Sequence, residues 1–71
     1  MDFHEAVVKV LQDEREPLHW TVIQDLALKR GYLDPFTQQD IRKGVVAALL
    51  EAARMGELER RATGVYALRD T

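Results

Sequence analysis

Thr37-Gln38-Gln39-Asp40-Ile41-Arg42-Lys43-Gly44-Val45-Val46-Ala47-Ala48-Leu49-Leu50-Glu51-Ala52-Ala53-Arg54-Met55-Gly56 is the stretch that decides the fold. It reads as one long helix with a signal at each end. Thr37 is placed to cap the first turn, with Asp40 three residues on where a capping-box acid belongs. Gly56 follows the last periodic residue, where a left-handed residue without a Cβ is favoured. At about 100° per residue, Ile41, Val45, Ala48, Leu49 and Ala52 share one side, which Val46 and Ala53 widen. Asp40, Lys43, Gly44, Ala47, Glu51 and Arg54 lie opposite. One face is therefore core, and the other is offered to something outside.

Working towards the amino terminus, Tyr32-Leu33-Asp34-Pro35-Phe36 is a connection whose apolar residues predict that it packs onto the core. Before it lies a helix of about ten residues. His19 or Thr21 caps it, Val22, Ile23, Leu26 and Ala27 form its buried side, and Gly31 closes it after Lys29 and Arg30. Pro17 to Trp20 reads as a short extended segment with Leu18 pointing inward. The charged run Asp13-Glu14-Arg15-Glu16 reads as a solvated loop leading to the break at Pro17. A first helix runs from Asp2, its N-cap, to about Gln12, with Phe3, Ala6, Val7, Val10 and Leu11 on its apolar side.

Beyond Gly56, Glu57-Leu58-Glu59-Arg60-Arg61 reads as a strand and Ala62-Thr63-Gly64 as a three-residue turn with glycine at positive φ. Val65-Tyr66-Ala67-Leu68-Arg69 returns antiparallel. Tyr66 and Leu68 share a face, as do Leu58 and Arg60. The fold class is mainly α (α+β): a winged helix-turn-helix of three helices and a small three-stranded antiparallel sheet. Its order is helix-strand-helix-helix-strand-strand, with the hairpin as the wing. Residues 1–71 form a single domain, and a chain that stops just after its last strand is expected to be the N-terminal domain of a longer protein.

The totals narrow the chemistry. With 71 residues and no cysteine there is neither a disulfide framework nor a thiolate metal site. No apolar run approaches the ~18–20 residues of a membrane span, and the amino terminus lacks a signal pattern. The expected location is cytoplasmic, nucleoid-associated in a bacterium, with no membrane partner. His4 and His19 lie far apart without a convergent carboxylate pair, so no metal ligand set is expected. No nucleophile elbow or phosphate-cradling glycine loop is present. The expectation is a protein that is not an enzyme, with no cofactor and no small-molecule substrate.

The net charge of −2 is unevenly spread: seven acids oppose four bases through Phe36, and five oppose six from Thr37 onward. A duplex binder usually shows a clearer basic excess. Its candidate contacts follow from position, because the start of the second helix of the pair enters the major groove. Gln38, Gln39, Arg42 and Lys43 stand there, with Ala47 one turn later, and Arg60 and Arg61 flank the wing. Gln suits adenine edges, and Arg or Lys suits guanine or phosphate. Asp40, Glu57 and Glu59 oppose phosphate, and an ordinary mixed-charge surface is the plain alternative.

Other residues are read structurally. His19 bonds a nearby backbone group, with a functional role as the alternative. Trp20 packs in the core or covers the hairpin, with a stacking platform for a base or ligand as the alternative. Tyr66 and Phe36 are core. Gly44, at a helix-interior cost of about 1 kcal/mol relative to alanine, permits a close approach, whether internal or by a partner. Leu28 and Leu50 fall towards the polar sides of their helices.

Glu16-Pro17-Leu18-His19-Trp20, the helix carrying Ile23, and the closing Gly64-Val65-Tyr66-Ala67-Leu68-Arg69 resemble the HARE winged helix-turn-helix domain over nearly the whole chain. The chain is also similar to the amino-terminal domain of the RNA polymerase delta subunit. Related modules occur in Asx-like chromatin proteins and restriction endonucleases. The resemblance implies a DNA-associated adaptor at the start of a larger protein, with no fixed target sequence. Double-stranded DNA, bound weakly by this domain alone, is the expected partner. The alternative is a protein-interaction winged helix that docks on RNA polymerase, a nuclease partner or a second copy of itself.

Overall fold

Asp2 opens the first helix with a reciprocal cap. Its carboxylate accepts the Glu5 backbone N–H at 2.8 Å, and the Glu5 carboxylate accepts the Asp2 N–H at 3.3 Å. In the computed structural model, which describes residues 1–69, this helix α1 covers Phe3–Glu14. Ala6, Val7, Val10 and Leu11 are buried, as their spacing predicts. α1 runs past the expected end at Gln12. Asp13 and Glu14 belong to its last turn, because Arg30 and Tyr32 supply partners for both carboxylates there. Arg15, at φ 55°, turns the chain out of the helix.

Strand β1 (Leu18–His19) leads directly into α2 (Trp20–Lys29). His19 is the cap: its Nδ1 accepts the Thr21 N–H at 3.3 Å. Gly31 closes α2 at φ 74°, donating to the Leu28 carbonyl while Tyr32 donates to Ala27. Ile23 and Ala27 are buried and Leu26 is half-buried, but Val22 is 42% exposed. α2 thus shows the core a narrower stripe than expected.

The connection to the third helix departs further from expectation. Leu33 is buried, yet Phe36 is 96% exposed, so only the first part of the segment packs down. Asp34 organises the rest. Its carbonyl accepts from Thr37 and Gln38, its carboxylate accepts the Phe36 N–H, and its own N–H donates to Gln38 Oε1. Thr37 belongs to this turn and stands four residues ahead of the first residue of the helix, so it is not the cap. Asp40 sits at φ 51° without a side-chain capping bond, and α3 begins only at Ile41. α3 (Ile41–Arg54) ends as expected at Gly56, φ 84°, with Gly56 donating to the Ala53 carbonyl and Glu57 to Ala52.

β2 (Leu58–Ala62) and β3 (Val65–Leu68) form the hairpin, joined through Thr63 and Gly64, the latter at φ 75°. The strands reach Ala62 and Val65, so the turn is one residue shorter than expected. Leu58 faces Leu68 and Arg60 faces Tyr66, and a bulge between Arg60 and Ala62 leaves Arg61 as the extra residue. β1 pairs antiparallel with β3, giving the sheet order β1-β3-β2. This is the winged-helix arrangement. Val45, Leu49 and Ala52 of α3 are wholly buried against residues that include Val7, Val10, Leu11, Ile23 and Leu58, with Tyr66 4% exposed beside them. Gly44 serves internal packing, because a Cβ built there would lie 2.4 Å from Cζ of Phe3.

Candidate nucleic-acid interface

The first turn of α3 carries Arg42 and Lys43, both exposed, and the next turn carries Ala47. The three line one shallow depression with Asp40, Val46 and Leu50. Neither cation forms an ion pair among the described residues. The Arg42 guanidinium carbon instead stands 5.6 Å from the centroid of the Trp20 ring, within cation–π range. Trp20 is half-buried at the start of α2, and its N–H donates to the Gly64 carbonyl in the hairpin turn at 2.8 Å. Its ring lies 5.8 Å from that of His19, tilted by 34°. Arg42, Trp20, His19 and the turn of the wing thus form one continuous strip.

The remaining expected contacts fall elsewhere. Gln38 precedes α3 and is half-buried. Its Oε1 accepts from Asp34 and its Nε2 donates to the Met1 carbonyl at 3.1 Å, so both ends of the amide are engaged internally. Gln38 is thereby set apart from the exposed first turn of α3. Gln39 is exposed but also precedes the helix. Arg61 donates to Glu59 at 3.1 Å, which offsets its charge. Arg60 lines a separate hollow with Ala53, Leu58, Glu59 and Arg69, and so goes with the carboxyl-terminal end of α3 rather than its start. Arg42, Lys43 and Ala47 are brought together; Gln38, Arg60 and Arg61 do not join them.

The sequence lets Trp20 be read as a stacking platform or a cover near the hairpin, but not as the partner of Arg42. Twenty-two positions separate it from Arg42 in the chain, and no local periodicity links them. Only the winged-helix topology, which sets the start of α2 beside both α3 and the hairpin, could have suggested the pair.

Several acids that would oppose a phosphate backbone are already matched. Glu51 is gripped by Arg54, Glu57 lies 2.9 Å from His4, and Glu59 holds Arg61. The hydrogen bond from Arg54 to Glu51 raises the guanidinium pKa. On the far side, Asp13 and Glu14 converge on Arg30. The hydrogen bond from Tyr32 lowers the Asp13 pKa, and the bond to Glu14 raises that of Arg30. Asp40 is the acid left beside the depression. Among the described residues no helix is long and apolar enough to cross a membrane, and no three His, Cys, Asp or Glu side chains come together as a metal site. No family model matches the chain, and neither a curated protein nor a solved structure matches it.

Proposed function

We propose that this winged helix binds double-stranded DNA, weakly by itself, and targets or regulates a larger DNA-acting or transcription-related protein. One observation carries the reading: Arg42 and Lys43 stand exposed in the first turn of α3, beside the small Ala47, without acidic partners among the described residues. In a helix-turn-helix this turn is the part that enters the major groove, where small side chains permit close approach and cations meet bases or phosphates. The mixed surface and net charge of −2 fit modest affinity, dependent on a few phosphate contacts. The resemblance to the HARE domain points the same way, whereas the likeness to the polymerase delta subunit's amino-terminal domain goes with docking on polymerase.

The test is binding of a labelled mixed-sequence duplex across a salt series. Affinity is expected to fall as salt rises, and reversal of both charges, Arg42→Glu with Lys43→Glu, is expected to remove most of it. Binding that ignores either change contradicts the proposal.

A second reading, a protein-docking module, draws on a different observation. Phe36 is 96% exposed on a turn fastened by several hydrogen bonds, and Leu50 is 49% exposed at the end of the depression. A held, exposed aromatic is the kind of anchor a partner's apolar pocket accepts. That contact would survive the double charge reversal.

A further inference from the structure

The strip joining α3 to the wing gives Arg42 a role different from that of its neighbour Lys43. Successive helical residues point about 100° apart. Lys43 shares the outward crest with Ala47, whereas Arg42 leaves the flank that faces α2. Its guanidinium lies over Trp20 at 5.6 Å. The indole is itself anchored from three directions. The Trp20 backbone donates to Gly64, the ring packs against the core, and the His19 ring stands beside it. The hairpin turn closes in so tightly that a Cβ built on Gly64 would fall 3.1 Å from Trp20 Cδ1 and 2.8 Å from His19 Nε2. Arg42 therefore rests on a ring packed at the seam of α3, α2 and the wing.

A guanidinium set over an aromatic face still has its N–H groups to present as a planar fork, and no acceptor among the described residues takes them. Such a fork fits the two free oxygens of a phosphodiester. Held on the flank, it addresses the wall of a groove rather than the base edges at its floor, which are left to the crest residues. We infer that Arg42, clamped on Trp20, is a backbone-phosphate contact, and that Trp20 is the residue that positions it. The inference rests on the DNA reading above and changes one of its assignments: Arg42 sets register and orientation, while Lys43 and Ala47 face the groove.

The chain has a single tryptophan, so its emission reports directly on the platform. The experiment titrates several duplexes of different sequence into the wild-type protein, Arg42→Lys and Arg42→Ala, following both labelled-duplex anisotropy and Trp20 fluorescence. Every duplex is expected to change Trp20 emission in the wild-type protein. Arg42→Ala is expected to weaken all duplexes alike, roughly three- to tenfold, and to reduce the slope of log affinity against log salt by about one. Arg42→Lys keeps the charge and the slope but is expected to lose affinity by a similar factor, because an ammonium cannot stack and present a planar fork together. Circular dichroism confirms that both exposed-site variants remain folded. Wild-type affinity in Arg42→Lys, or a loss in Arg42→Ala confined to duplexes with one particular base, overturns the clamp while leaving duplex binding intact. Absence of any duplex binding by the wild-type protein overturns the DNA reading and the clamp together.

Discussion

Gly44 shows how one missing methyl group sets the distance between two helices. Glycine inside a helix costs about 1 kcal/mol relative to alanine, so in isolation Gly44→Ala would stabilise α3. Three ring atoms of Phe3, however, would lie 2.4–2.6 Å from the new Cβ, far inside contact distance. Overpacking of this kind costs about 1–3 kcal/mol, which outweighs the propensity gain. Gly44→Ala is expected to lower stability by about 1 kcal/mol in urea denaturation. In a Phe3→Ala background, where the ring is gone, the same substitution is expected to raise stability instead. A gain in both backgrounds would show that Phe3 yields freely. From the sequence, Gly44 was legible as a close-approach position, but whether the visitor was internal or external was not. Its partner is 41 residues away, on a helix whose own pattern says only that Phe3 is apolar. Phe36 misled for the complementary reason: apolar character predicts burial, yet the hydrogen bonds of Asp34 hold the Phe36 backbone in a turn whose side chain lies 96% exposed.

Among the elements, the ends of α1 and α2 are joined by a polar clasp. Tyr32 donates to Asp13, Arg30 donates to both Asp13 and Glu14, and Lys9 lies 3.4 Å from Asp13 one turn back. The Tyr32 hydrogen bond is the chief cause of the lowered Asp13 pKa, and the same bond raises that of Tyr32. The signs determine the pH profile. A carboxyl depressed in the folded state adds stability that is present above its unfolded value near 3.8 and is lost as pH falls through the depressed value. A phenol raised in the folded state adds stability that is present below its unfolded value near 10.0 and is lost as pH rises through the raised value. Asp13→Asn is therefore expected to flatten both limbs of the stability–pH curve, measured by thermal unfolding between acid and alkaline pH. Unchanged limbs would show that the clasp contributes nothing. The helices themselves were legible from apolar spacing and from Gly31 and Gly56, both of which end their helices at positive φ. Their other boundaries were less so. Asp13 and Glu14 look like loop residues until Arg30 and Tyr32 are placed beside them, and Thr37 looks like a cap until the Asp34 turn is seen to delay the helix to Ile41.

At the scale of the molecule, the winged-helix topology makes a surface that no single element contains. The hairpin turn, the start of α2 and the first turn of α3 converge on Trp20, and the charge assembled there is local rather than global. The net charge of −2 conceals this, since pairs such as Glu51 with Arg54 and Glu59 with Arg61 neutralise one another. Arg42, Lys43 and Ala47 were legible as neighbours on one exposed stretch of α3 because helix position alone groups them. Arg60 and Arg61 lie on the hairpin as expected, but strand polarity does not reveal that Arg61 is bulged and paired with Glu59 or that Arg60 shares a hollow with Arg69. The most direct measurement is an amide chemical-shift map of the protein during titration with a mixed-sequence duplex at low salt. The account predicts shifts concentrated at residues 39–47, at His19 and Trp20, and at Thr63 and Gly64, all collapsing as salt is raised. Shifts confined to the turn around Phe36, or an unperturbed first turn of α3 with the duplex bound elsewhere, would contradict it.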